Sequence, residues 1–119
     1  MNIAQQKEKL RKEISLLKKQ YSADDLYNRS EEVLSVLEIT GAFQQAKTIF
    51  IYNSMGDEVQ TLDFINRWSA EKNFYLPVVV KDDIVFRKYV QDTTLKQSSY
   101  GIMEPLGDNF TDYKKVDLI

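Results

Sequence analysis

Two short runs rich in β-branched and aromatic residues, KTIFIYN at 47–53 and FYLPVVV at 74–80, flank a stretch where Leu62, Phe64, Ile65 and Trp68 recur at helical spacing. Each run is too short for a buried helix, so the order is strand, helix, strand. A chain that forms two neighbouring strands through one crossover helix must run them parallel. This reading predicts strands over residues 47–53 and 73–80. Asp82-Asp83 then separates the second run from Ile84–Tyr89, which suggests a hairpin whose outer strand lies at an edge. Pro77 cannot donate to a ladder, so its strand is an edge or bulged at that point. Val116, Leu118 and Ile119 begin a further apolar run, read as a strand over 115–119. The expected fold is a three-layer α/β/α domain with an open, mostly parallel, Rossmann-like central sheet and helices over both faces.

The first forty residues read as two helices. Ile3, Leu10, Ile14 and Leu17 fall on one face of the first, and its other faces are charged. Ser22 with Asp25 resembles a capping box opening the second, whose Leu26, Val33, Leu34 and Leu37 should point inward. Gly41 should close or kink it. A chain of 119 residues with 43% apolar content can bury one core but not two. With no cysteine and no histidine, disulfides, thiolate nucleophiles, Cys/His zinc sites and imidazole triads are all excluded. Any chemistry must use carboxylates, lysines, arginines and hydroxyls.

The formal charge of −2 provides no global attraction for nucleic acid or an anionic membrane. It is unevenly placed, because residues 1–21 carry six Lys/Arg against two Glu. No apolar run approaches a membrane span and no hydrophobic leader precedes the first helix, so the chain reads as cytoplasmic.

Three weak constellations stand out. Lys7 and Arg11, four apart, project from one helix face and could grip a polyphosphate, although surface charges at this spacing are commonly just solvated. Asn53 to Thr61 lies between a strand and the next helix, where open α/β sheets bind ligands. Within it, Glu58 is either a ligand or a first-turn acid complementing the helix dipole, Met55 either packs on a ligand or fills the core, and Thr61 reads as an N-cap. Tyr100-Gly101-Ile102-Met103-Glu104-Pro105 sits in a polar stretch, 91–113, that reads as a long surface loop in which Tyr100 offers a flat wall. Trp68 is expected in the core.

In this order, the three constellations resemble the 5-formyltetrahydrofolate cyclo-ligase family, also called 5,10-methenyltetrahydrofolate synthetases. The matching features are the Lys7 to Arg11 helix, a Ser-rich second helix, the Glu58-Val59-Gln60-Thr61 loop, the Leu76-Pro77 strand and the Tyr100 to Pro105 loop. The resemblance implies ATP-dependent conversion of 5-formyltetrahydrofolate to 5,10-methenyltetrahydrofolate. It also implies that Lys7 and Arg11 hold ATP phosphates, that Asn53, Met55 and Glu58 line the folate pocket, and that Tyr100 walls the pterin. Family members continue from an Asp-Leu-Ile strand, here Asp117 to Ile119, into a Gly-rich Tyr-Tyr-Asp loop that carries further phosphate ligands and a magnesium-binding acid. On this reading residues 1–119 are the N-terminal portion of one cyclo-ligase-like domain, possessing no metal ligands of their own and incomplete at the C-terminus. Mg²⁺ would arrive with ATP, the partner would be the missing C-terminal half of the same protein, and the fragment alone would be inactive. The competing expectation is a non-catalytic α/β module whose basic N-terminal helix docks an acidic partner or nucleic acid.

Overall fold

The parallel pairing implied by the two strand-like runs is present in the computed structural model, which describes residues 1–90, 95–97 and 103–119. In chain order the elements are α1 (Ile3–Lys18), α2 (Ala23–Glu38), α3 (Gly41–Gln45), β1 (Thr48–Phe50), α4 (Leu62–Trp68), β2 (Asn73–Val80), β3 (Asp83–Tyr89), β4 (Leu95–Gln97), β5 (Met103–Pro105) and a 3₁₀ turn at Tyr113–Lys115. The main sheet has the order β1-β2-β3. β1 and β2 are parallel from Thr48↔Asn73 to Phe50↔Tyr75, and β2 and β3 are antiparallel from Phe74↔Tyr89 to Val80↔Asp83. The β2–β3 turn places Lys81 at φ 55°, a left-handed conformation that a side-chain-bearing residue seldom adopts.

Period-two alternation along β2 buries Phe74, Leu76 and Val78 on one face. There Phe74 and Leu76 meet Phe43 of α3, Phe64 and Ile65 of α4, Leu34 of α2, and Ile49 of β1, all nearly inaccessible. Trp68 packs against this core and donates its indole N–H to Glu38 at 3.1 Å. Arg67 spans from α4 to α2 through Glu38 (3.0 Å) and Glu31 (3.2 Å), so a polar rim closes the apolar layer. Lys72 is buried as well. Its ammonium donates to the carbonyls of Phe43, Gln44 and Ala46, where a positive charge satisfies the C-terminal end of α3.

The opposite face carries an aromatic cluster. Phe50 stacks on Phe86 with centroids 3.8 Å apart, and Phe110 lies 4.5 Å from Tyr75 and 5.5 Å from Phe50. Helices α2 to α4 therefore supply the cover on one face, while on the other the described cover is the chain around Phe110.

Several expectations need correction. The stretch 91–113 is not all surface loop: β4 and β5 pair antiparallel, Glu104 and Pro105 are buried, and the Phe110 amide donates to Phe86 at 2.7 Å. Pairings only three residues long leave no periodic trace in sequence. Residues 115–119 are not a full strand either, because the 3₁₀ turn takes up the start and Leu118 makes a single parallel bridge to Ile49. Asp117 holds that junction by accepting from the Lys47 and Thr48 amides at 2.8 and 2.9 Å. Those two bonds, Thr48's first, pull its carboxyl below the usual range. Gly41 neither ends nor kinks α2; it opens α3, which Thr40 caps by accepting from the Phe43 amide. Val33 does not point into the core but is 54% exposed.

Candidate functional site

β1 and β2 run parallel, so their carboxyl ends lie at the same edge of the sheet, and the loop that leaves β1 emerges there. Residues 52–61 form this loop and bond largely to themselves. The Thr61 hydroxyl donates to the Tyr52 carbonyl (2.8 Å) and accepts from the Ser54 amide (3.1 Å), while the Ser54 hydroxyl accepts from the Thr61 amide (3.0 Å). The Gln60 side-chain amide donates to the carbonyls of Met55 and Glu58 at 2.7 and 2.9 Å. Tyr52 closes the loop from the side, its phenol donating to the Val59 carbonyl at 3.0 Å. Burial, and then the neighbouring Glu58 charge, push that phenol above its usual range, so it stays protonated and donating.

These bonds settle two alternatives. Thr61 occupies the N-cap position of α4 but makes no side-chain capping bond, because its hydroxyl clamps the loop instead. The first-turn acid of α4 is Asp63, and Glu58 lies ahead of the helix altogether. Glu58 instead accepts the Met55 amide at 2.7 Å, which sets a tight turn and leaves its carboxylate half-buried. Met55 is 42% exposed and is not core. Asn53 sits half-buried where the chain leaves the sheet.

A cavity of about 480 Å³ separates this loop from α1 and α2. It is lined by Ile14 and Leu17 near the end of α1, Tyr21 just after it, Leu26 and Val33 of α2 and Val59 of the loop, together with the charged Lys18, Arg29, Asp57 and Glu58. Apolar walls with a few charged groups suit a small organic ligand. The Arg29 guanidinium lies 4.5 Å from the Tyr21 ring centre, and Lys18 pairs with Asp57 at 3.6 Å, linking α1 to the loop.

Glu58, Met55 and Asn53 share this loop, but of the three only Glu58 lines the cavity. Lys7 and Arg11 share one face of α1 and are exposed, but no hydrogen bond or ion pair among the described residues ties either to that loop. At 1.5 Å per residue they lie about 16 and 10 Å along the helix from Lys18. Tyr100 lies outside the described residues. Among those described, no group of three acidic side chains converges as a metal site, and no helix is long and apolar enough to cross a membrane.

Sequence reasoning missed Ser30. Its hydroxyl donates to Leu26 and accepts from the Gln60 amide at 2.8 Å, so a buried serine pins the loop to α2. Its place one turn after Leu26 and one turn before the buried Leu34 was the available signal.

A model of the 5-formyltetrahydrofolate cyclo-ligase family matches residues 3–119. The chain belongs to this family. It is 41% identical over 66 residues to the 5-formyltetrahydrofolate cyclo-ligase of Haemophilus influenzae, an alignment covering 52% of this chain and 35% of that protein. The fold superposes on the NMR structure of Aquifex aeolicus 5,10-methenyltetrahydrofolate synthetase with a TM-score of 0.80 and 26% identity, over 92% of this chain and 57% of that one. The matched family region thus includes α1, the 52–61 loop and β5, while this chain spans about a third of one relative and a little over half of the other.

Proposed function

We propose that this chain forms the folate-binding part of an ATP-dependent 5-formyltetrahydrofolate cyclo-ligase of the cytoplasm. The observation that carries the reading is the placement of Glu58, on an apolar cavity and at the carboxyl edge of the parallel β1–β2 pair, within a chain of this family. Glu58 lines the cavity, and Asn53 and Met55 belong to the same loop; by likeness to the family, the folate contacts are assigned to these three and the pterin wall to Tyr100. Lys7 and Arg11 neutralise ATP phosphates, Lys as a point charge and Arg as a planar fork of donors.

The reaction needs no histidine. The formyl oxygen attacks the γ-phosphorus, the bond to ADP breaks, and the product is an N5-iminium phosphate. N10 then adds to the iminium carbon, losing its proton, and the C–O bond breaks to release inorganic phosphate and leave the methenyl bridge. Both steps depend on charge neutralisation and positioning more than on an acid–base pair. Glu58, which already accepts one backbone N–H through one oxygen, has the capacity to accept from the folate as well. Mg²⁺ would come with ATP, and no step is assigned to it. In the protein that carries this chain, the remaining phosphate contacts are assigned to the part of the family fold beyond the matched region.

Absorbance of the methenyl product tests the reading. In that protein Glu58→Gln should lower kcat/KM for 5-formyltetrahydrofolate about tenfold or more, or about 1.4 kcal/mol of transition-state stabilisation. Unchanged kinetics would reduce Glu58 to the turn-forming acid that its Met55 contact makes it.

A further inference from the structure

The pairing of β2 leaves one side of that strand uncovered. β1 accompanies it only to Phe50↔Tyr75, ending with the Ile51 amide donating to the Tyr75 carbonyl, whereas β2 continues to Val80. Asn73, whose amide donates to Lys47, shows which residues face β1, so by alternation Pro77 and Val79 face the same side past the end of β1. Pro77 has no N–H. The Val79 amide is therefore the donor on that overhang, and it is taken by the Glu104 carboxylate of β5 at 2.8 Å. Glu104 is only 9% exposed. Burying a carboxylate is costly, and a solvent-facing strand edge could have been satisfied by water, so the contact is a built one.

The location matters more than the bond. Val79 lies at the carboxyl end of β2, at the same sheet edge where Asn53 and Met55 emerge from β1. Building on the proposed function, we infer that Glu104 is a positioning residue of the folate site. By accepting the Val79 amide it docks β5 against the carboxyl edge of the sheet, the edge from which the 52–61 loop emerges. Glu104 itself need not touch the substrate. Its requirement is for one acceptor oxygen at the end of a three-bond side chain, which glutamine also provides.

The test uses the full chain with 5-formyltetrahydrofolate and ATP as separate calorimetric probes, alongside amide hydrogen exchange at Val79. Glu104→Ala should lose Val79 protection and weaken 5-formyltetrahydrofolate binding about tenfold or more, with ATP affinity changing by less than about twofold. Glu104→Gln should keep both protection and affinity within about threefold of the parent. Val79→Pro removes the same bond from its donor side at a position not used by β3, so it should reproduce the alanine phenotype even if Glu104→Ala folds poorly. Lost protection with unchanged folate affinity would overturn the positioning role, as would equal loss for both ligands or a glutamine variant as weak as alanine. A parent chain that fails to bind 5-formyltetrahydrofolate while Val79 stays protected would instead overturn the functional reading on which this role rests.

Discussion

α1 and α4 make opposite use of the same secondary structure. α1 is sixteen residues long, has a complete capping box between Asn2 and Gln5, and buries none of its residues. α4 is seven residues long, its N-cap side chain makes no capping bond, and it places Phe64 and Ile65 in the deepest part of the core. A helix of seven residues cannot hold itself together in water, so α4 exists because the sheet packs on it. α1 is secured by its cap, its i,i+4 pair Lys9–Glu13 and its contact at Lys18 with the loop. On the proposed function the contrast becomes testable: substitutions in α4 should affect folding, and substitutions of Lys7 and Arg11 in α1 should affect ligands.

The largest expected effect tests the scaffold side. Phe64→Ala should destabilise the fold by about 3–5 kcal/mol in denaturant titration, since it empties a site between Phe43 and Phe74. Leu10→Ala on α1, where the side chain is 55% exposed, should cost less than about 0.5 kcal/mol. Similar values for the two would remove the distinction. Next, in the protein that carries turnover, Lys7→Ala and Arg11→Ala should each cost about 1.5–3 kcal/mol of transition-state stabilisation, read as kcat/KM for ATP, with Tm unmoved. A fall in Tm with unaltered ATP dependence would show that α1 is scaffold after all.

A smaller effect concerns the junction beside β1. Asp117 has a lowered native pKa, so its charge stabilises the fold fully above the ordinary carboxylate range, and that contribution is lost as pH falls through the lowered value. Asp117→Asn should therefore melt below the parent at neutral pH, and the gap should close only as the pH falls through that lowered value, where the parent's carboxyl is protonated as well. A gap constant with pH would show that the Lys47 and Thr48 amides respond to shape and not charge.

The parts of this fold legible in sequence are those where burial imposes a period. Residues 73–80 alternate between a core face and an aromatic face, and the structure places β2 over the same eight residues. The apolar spacing of α1 was equally regular, yet nothing among the described residues buries it, because periodicity reports a face and not what covers it. β5 was invisible for the opposite reason: Met103 to Pro105 is held by one carboxylate and three residue pairs, which leave no pattern. In the candidate site, Glu58 and Met55 were singled out by their position between strand and helix, and of the two Glu58 lines the cavity. Ser30 was not, since a serine on a helix face looks solvated until its Gln60 partner, thirty residues away in sequence, is in place.

Pro77 has a consequence for how the molecule behaves among its own copies. A strand that outruns its neighbour offers a bare row of backbone groups on which another extended chain can assemble, the usual start of intermolecular sheet growth. On the overhang of β2 the proline has removed one donor and the acid of β5 has claimed the next, so an incoming strand finds no N–H there to bind. The same few residues that hold β5 in place thereby keep this edge from seeding aggregates while newly made chains are crowded together.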